Sequence, residues 1–242
     1  FAIFTKLAKT FETKKYHSLQ AQALQAVAEI YRNKFDFSKS FAVSQKSLNV
    51  AKTNQDIETT LRYYQASVST NRRFGKYQES LNDSLLVFDL AQDAPIKPNV
   101  LWTFYSTAAE NYFKLGLLDC AFAYQEESIE IAQKTGSPLL ESRSFEQSSV
   151  FYLSINKLPE AFTNAQTALE FGEKVTDEKF KFNITSRLSL RLGNIYRKSG
   201  EYQKAIEHYK KAQEIYEKID FKTYLYQIFR GQALANIALK DN

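Results

Sequence analysis

The feature that most constrains the fold is a repeat of about 40 residues that recurs along the chain. Its clearest marker is a small residue, Ser or Ala, which we place at the start of the second helix of each unit. This residue recurs at Ser40, Ser80, Ala121, Ala161 and Ala205, so the spacings are 40, 41, 40 and 44. A constant period over five units is typical of repeat proteins, in which each unit buries its apolar face against its neighbours.

The best-preserved unit lies near the C-terminal end of the sequence. Its pattern consists of Leu192, Gly193, Tyr196, Gly200, Tyr202, Ala205, Tyr209 and Ala212. This pattern resembles the tetratricopeptide repeat (TPR) at each of its principal positions. A small residue at Gly193 lets two helices approach closely, and Gly200 supplies a left-handed turn after the first helix.

The length of the unit indicates which subclass of TPR the chain resembles, because the common TPR has about 34 residues. Together with the sequence Leu192-Gly193-Asn194, a unit of about 40 residues resembles the long-repeat subclass. That subclass is found in Leu-Gly-Asn repeat scaffolds and in bacterial peptide-sensing TPR regulators.

The resemblance implies an all-α fold, a right-handed α-solenoid of about five helical hairpins with flanking helices, in one domain over residues 1–242. With only 7 Gly and 4 Pro, the composition also argues against a turn-rich all-β fold. The predicted units are a partial repeat 1–16, repeats 17–56, 57–97, 98–137, 138–176 and 177–220, and a terminal helix 221–242. The predicted hairpins are 17–33 with 37–52, 57–74 with 77–92, 98–115 with 118–135, 138–155 with 159–175, and 177–199 with 202–218.

The two ends of the sequence are expected to continue. The chain begins at Phe1 and contains no Met, although about 2% would be ordinary usage. Residues 1–12 resemble the second helix of a hairpin without its first. The terminal helix is apolar around much of its circumference, whereas a capping helix should have a polar outer face. We therefore expect this chain to be part of a longer protein.

Residues that carry enzyme or metal chemistry are scarce. The chain has one Cys and two His, which are too few for a Cys/His metal site. It has no phosphate-binding Gly-rich loop, nucleophile elbow or calcium loop. Cys120 is expected to be a small, buried packing residue, and His17 and His208 are expected to be solvent-exposed or packing residues. No apolar run is long enough to span a membrane. We expect a cytoplasmic protein that is not an enzyme and uses no cofactor.

The informative residues are the arginines, since eight of the nine fall in first helices, while lysines lie mainly in second helices and loops. Positions in each first helix are numbered so that the close-packing residue is position 8. On this numbering the eight arginines are Arg62, Arg143 and Arg187 at position 2, Arg191 at position 6, Arg32, Arg72 and Arg197 at position 12, and Arg73 at position 13. The resemblance implies that first helices line a concave groove, with positions 2, 5, 9 and 12 or 13 facing it. Arginine suits bidentate recognition of carboxylates.

The candidate peptide-binding residues are therefore Arg62, Arg143, Arg187 and Arg191, with Asn194 at position 9. A carboxamide can bind an extended peptide backbone with its donor and its acceptor together. The paired Lys and Asn of the carboxylate clamp in chaperone adaptors are absent. Among the aromatic residues, which mostly fit core positions, the exceptions expected to face the groove are Tyr63, Tyr64, Phe104 and Tyr105.

A structural role for these arginines is the alternative. A cation at position 12 or 13 lies near a helix C-terminus and offsets the helix dipole. An arginine at position 2 can instead pair with an acidic residue of the preceding repeat.

Two compatible functions follow. The first is a protein- or peptide-binding module, or scaffold, whose partner carries an acidic segment or a C-terminal carboxylate. The second is a regulatory or sensor segment of a larger signalling protein. A net charge of +5 and a pI near 9.0 also permit nucleic-acid binding. The lysines are interspersed with Glu and form no continuous stripe, which disfavours that function.

Overall fold

The computed structural model describes residues 2–218 and 224–240, which form twelve α-helices and no strand. The predicted all-α class is confirmed for these residues. The helices are α1 (Ala2–Thr13), α2 (His17–Asn33), α3 (Phe37–Thr53), α4 (Ile57–Arg73), α5 (Tyr77–Asp93), α6 (Pro98–Lys114), α7 (Leu118–Thr135), α8 (Pro138–Ser154), α9 (Leu158–Glu173), α10 (Glu178–Lys198), α11 (Tyr202–Lys218) and α12 (Leu225–Lys240).

The predicted helix boundaries are confirmed, because every predicted helix end from 17 to 218 lies within two residues of the observed one. The flanking helices also form, as α1 and α12. The predicted start of the terminal helix at 221 and its end at 242 lie outside the described residues, as do Phe1 and the junction at 219–220.

Most turns between helices contain one residue in the left-handed region. Among the residues described, eight turns share this feature, at Lys15, Phe35, Gln55, Gly75, Gly116, Gly136, Asn156 and Gly200. The amide that follows such a residue can bond back to the last helical turn, as Asp36 N does to the Tyr31 carbonyl at 3.0 Å. This bond satisfies a carbonyl that the helix end leaves free. Four of the eight residues have a Cβ that makes this conformation costly.

The helices pack as two compact units. The first comprises Phe1–Ile96 with Glu110–Gly116, and the second comprises Lys97–Ala109 with Leu117–Asn242. The prediction of one domain over residues 1–242 stays a prediction.

In the first unit, the marker residues of the repeat contribute hydrogen bonds as well as small size. The Ser40 hydroxyl donates to the Ala28 carbonyl at 2.8 Å, and the Ser80 hydroxyl donates to the Val68 carbonyl at 3.1 Å. Both serines are buried. Because each bond joins a second helix to the first helix of the same hairpin, it satisfies a buried hydroxyl and fixes the crossing.

In the second unit, the marker positions Ala121, Ala161 and Ala205 are fully buried, as the repeat predicts. A buried tyrosine, Tyr209, packs with Ala205 in the core between α10, α11 and α12. A Cβ added at Gly193 would lie 2.7 Å from the Tyr209 ring, so the close approach predicted at this glycine is confirmed.

Candidate functional site

A groove of about 490 Å³ lies between α2 and α4 in the first unit. Both are first helices of their hairpins, and equivalent residues 40 apart face each other across the groove. Its lining residues are Gln22, Gln25, Ala26, Glu29, Arg32, Thr59, Arg62, Gln65, Ala66, Ser69, Thr70 and Arg73. These include positions 2, 5 and 9 of both repeats, together with position 12 of the first and position 13 of the second. This is the face that the resemblance implies.

The groove is cationic. Three arginines and one glutamate line it, which gives a formal charge of +2. Arg62 lies 2.6 Å from Glu58 and Arg32 lies 3.5 Å from Glu29, and both of those carboxylates are largely exposed. No ion pair within the described residues involves Arg73, which is exposed. Exposed ion pairs contribute little, so these arginines can exchange their partners for another carboxylate.

A buried carboxamide lines the groove, and its oxygen has no hydrogen-bond partner among the described residues. Gln25 is 6% exposed, and its Oε1 atom has no hydrogen-bond partner in the part of the chain that the structure describes. Gln65 occupies the equivalent position in the next repeat, and also lines the groove. An unsatisfied buried acceptor costs free energy, so a ligand N–H that reached it would be held with a net gain.

The structure places the predicted binding residues in both units. Arg62 lines the α2/α4 groove of the first unit. Arg143, Arg187, Arg191 and Asn194 belong to the second unit, on α8 and α10. Their binding role stays a prediction.

Two of the arginines in the second unit lie near one buried carboxylate. The Arg187 Nη2 atom is 2.5 Å from the Glu146 Oε2 atom, and the Glu146 side chain is 11% exposed. Burial lowers the pKa of Arg143, and the positive charge of Arg187 lowers it further, whereas Glu146 raises it. Because arginine keeps its proton, the cluster holds two cations against one anion. The Nε atoms of Arg143, Arg187 and Arg191 have no hydrogen-bond partner among the described residues.

The structural alternative is confirmed for Arg187. Glu146 belongs to the repeat before that of Arg187, which is the pairing expected for position 2. Arg72, at position 12, also forms an ion pair, with Glu110 at 3.2 Å within the first unit, although the role expected for that position was an interaction with the helix dipole. These contacts do not exclude binding, but they show that part of the arginine segregation serves packing between repeats.

Asn194 contacts the second helix of its own hairpin. Its Oδ1 atom accepts a hydrogen bond of 2.8 Å from the Tyr209 hydroxyl. The same hydroxyl accepts a longer bond from the Arg197 Nε atom at 3.4 Å. A peptide held by Asn194 would have to share or replace the bond from Tyr209.

The expectation about exposed aromatic residues is wrong for Tyr63, Tyr64 and Phe104, which are at most 5% exposed. These rings pack in the cores of their units because the first helices bury more than one side. Cys120, expected to be a packing residue, is exposed.

One group of exposed aromatic side chains lies in the first unit. Its members are Phe35, Phe37, Phe41 and Phe74, which we call the phenylalanine patch. Sequence reasoning missed this patch, although three of its members fall within the short segment Phe35–Phe41.

The described residues contain no group of three or more His, Cys, Asp or Glu side chains arranged to hold a metal ion. Among the helices described, none is both long and apolar enough to cross a bilayer.

Comparison with known proteins identifies the repeat. A family model described as the tetratricopeptide repeat matches residues 187–218. No curated protein matches the chain in sequence.

Solved structures resemble it at low identity. BtubC (BKLC) from P. vanneervenii has a TM-score of 0.76 and 16% identity over 90% of each chain. Aspartyl phosphate phosphatase F from Bacillus subtilis has a TM-score of 0.80 and 13% identity, over 96% of this chain and 62% of that one. A Signal Transduction ATPase with Numerous Domains from Pyrococcus horikoshii, described as having a TPR sensor, has a TM-score of 0.68 and 13% identity, over 93% of this chain and 36% of that one. At such identities the likeness shows the fold, a TPR-type helical solenoid.

Proposed function

We propose that this tetratricopeptide-repeat chain is a binding module that holds an acidic segment of a protein or peptide on the faces of its first helices. The observation that carries the proposal is the α2/α4 groove, where three arginines and two equivalent glutamines line one cleft. Function in repeat proteins depends on side chains at such exposed positions. The proposed action is binding without catalysis, in the cytoplasm.

Electrostatics supports an acidic partner. Arg32, Arg62 and Arg73 bring three guanidinium groups to one groove, and the only carboxylate among its lining residues is Glu29. A guanidinium group binds a carboxylate through two parallel hydrogen bonds, and a charge-assisted bond contributes about 1.5–3 kcal/mol. A side-chain carboxylate and a C-terminal carboxylate present the same chemistry to these groups.

The carboxamides support an extended backbone. Gln25 and Gln65 occupy the same position in successive repeats, and both line the groove. Each carboxamide offers one acceptor and two donors. A peptide running along the groove could therefore satisfy the Gln25 oxygen with a backbone N–H, without any requirement on its sequence.

The arginine cluster of the second unit supports a second contact. Arg143 and Arg187 together carry more positive charge than Glu146 neutralises. An added carboxylate would relieve the repulsion that lowers the pKa of Arg143. We propose that this cluster is a separate binding position for an acidic residue within the second unit.

The second candidate function is a regulatory or sensor segment of a larger signalling protein. Its support is the fold shared with the ATPase described as having a TPR sensor, of which this chain covers 36%. Binding in the groove would be the input of such a segment, so the two proposals need the same site.

The proposal is tested by fluorescence anisotropy with a labelled twelve-residue peptide of Asp, Glu and Ser. Replacing Arg62 and Arg73 by Gln should weaken binding at least tenfold, because each lost charge-assisted bond is worth that much. The matched control replaces Lys210 and Lys211, both exposed on the second helix α11, by Gln. It removes the same net charge and should change affinity less than twofold. Equal effects of the two double variants, or no binding by the native chain, would refute the proposal.

A further inference from the structure

A small pocket adjoins the groove and gives it an apolar end. This pocket, of about 80 Å³, lies between α2, α3 and α4 in the first unit. Phe37 and Phe41 line it, and Arg32, Ala66 and Thr70 line both the pocket and the groove. The two cavities therefore form one continuous surface with Arg32 at the junction.

The phenylalanine patch extends from this pocket, because Phe37 and Phe41 line it and the rings of Phe35 and Phe74 both contact the Phe37 ring. Phe35, Phe41 and Phe74 are 77%, 64% and 56% exposed. The Phe37 ring meets the Phe74 ring edge to face, with 5.1 Å between the centroids. Grouped exposed aromatic rings are uncommon on a surface that stays in water, and they mark places where another molecule binds.

The positive charge of the groove indicates what kind of segment would bind in the groove and the pocket. The groove that continues from the pocket carries Arg32, Arg62 and Arg73, so a segment that enters both must be acidic on one side. The pocket itself has room for one side chain and not for a whole helix face. Resting on the function proposed above, we propose that the partner segment is acidic and carries one bulky apolar residue, which enters the pocket between Phe37 and Phe41.

The surroundings favour a peptide over a bilayer surface. The pocket wall contains Ser40, Ser44, Ser67 and Asn71, whose polar groups suit a peptide backbone. A pocket of about 80 Å³ admits one side chain of a peptide, whereas the flat headgroup layer of a bilayer cannot enter it.

The experiment uses an array of twelve-residue peptides of Asp, Glu and Ser in which a single Leu is moved through every position. Each peptide is paired with one that has Ser in place of Leu. At the best position, Leu should improve affinity for the native chain about tenfold, since it buries part of one aliphatic side chain. The variant Phe41→Ser should remove this Leu advantage and leave the affinity for the Ser peptide unchanged.

The control is Phe182→Ser, because Phe182 is 47% exposed and lies on α10 in the second unit. It should keep the full Leu advantage. The variant with Arg62 and Arg73 replaced by Gln should bind both peptides of a pair more weakly. Circular dichroism checks that each variant keeps its helix content.

Three results would overturn this inference. They are the absence of a Leu advantage at every position, a Leu advantage that Phe41→Ser leaves intact, and loss of binding to phosphatidylserine vesicles by Phe41→Ser with unchanged peptide affinity. If, in any of these cases, the variant with Arg62 and Arg73 replaced by Gln binds acidic peptides more weakly than the native chain does, the proposed function stands. If the arginine variant binds as the native chain does, the proposed function itself fails.

Discussion

Replacing Gly193 by alanine should destabilise the second unit although alanine favours helices. The added Cβ would lie 2.7 Å from two carbons of the Tyr209 ring, well inside van der Waals contact. Overpacking of this kind costs about 1–3 kcal/mol, while the gain in helix propensity returns about 1 kcal/mol. The net loss depends on whether the ring can move.

The surroundings of Tyr209 leave its ring little freedom. The side chain is fully buried, and its hydroxyl donates to the Asn194 Oδ1 atom at 2.8 Å. A second glycine, Gly231 on α12, lies against the same ring and leaves no room for a Cβ. We therefore expect an overpacking cost of about 2–3 kcal/mol, near the upper end of the range, and a net loss of about 1–2 kcal/mol.

Thermal unfolding followed by far-UV circular dichroism measures this loss. For a chain of this size, 1 kcal/mol corresponds to about 2–4 °C, so Tm should fall by about 2–8 °C. In a Tyr209→Leu background the same Gly193→Ala change should cost nothing, because the ring that it meets is gone. A Gly193→Ala chain as stable as the native one would refute the close approach of α10 and α11.

Three further outcomes are expected. Arg187→Met should lower the free energy of unfolding by about 2–4 kcal/mol, because it leaves Glu146 buried without its partner. Arg143→Met should lower the free energy of unfolding only slightly, because it removes a cation that Arg187 repels. Phe35→Gly should raise Tm slightly, since Phe35 has a φ of 60° and glycine adopts it without strain. Asp83→Asn should raise Tm at pH 7 but not at pH 3, because burial raises the pKa of Asp83.

The sign of the last effect follows from linkage. A raised pKa means that the folded chain disfavours the ionised carboxylate of Asp83. Stability is therefore lost as the pH rises from the unfolded pKa, about 4, through the folded one. Below pH 4 the native carboxyl is neutral in both states, so the native chain and the variant should converge there. A Tm difference that is the same at both pH values would contradict this.

Circular dichroism unfolding also decides the other two predictions. Equal losses of unfolding free energy for Arg187→Met and Arg143→Met would show that the ion pair of Arg187 with Glu146 does not stabilise the fold more than Arg143 does. A fall in Tm for Phe35→Gly would mean that the contact of the Phe35 ring with Phe37, at 6.2 Å between centroids, outweighs the backbone strain.

The helices could be predicted from sequence because their boundaries are set by local signals. Gly200 adopts the left-handed conformation predicted for it, and Pro138 begins α8. Where a repeat lacks such glycine or proline signals, the period of about 40 residues still located its helices. At Lys15, Phe35 and Gln55 the turn has the same left-handed geometry without glycine. No local propensity favours those residues there, so tertiary packing of the hairpins must impose the turn.

The candidate site could be predicted only in outline. The positions that face the groove follow from the repeat, and Arg62 lies where it was expected. The pairing of Arg187 with Glu146 could not be assigned, because it depends on the exact rotation of α10 against α8. The phenylalanine patch was missed for another reason. From sequence alone, aromatic residues at a helix start are interpreted as core residues. Their exposure becomes apparent only when the packing of the neighbouring helix is known.

The central claim is that a partner binds on the faces of the first helices α2 and α4. Hydrogen–deuterium exchange on the full chain, with and without a saturating acidic peptide from the array, tests it most directly. Binding in the groove should slow exchange in segments covering residues 22–32 and 59–73, which contain the lining of the groove. Protection confined to the second helices α3, α5 and α11, with unchanged exchange in α2 and α4, would contradict it.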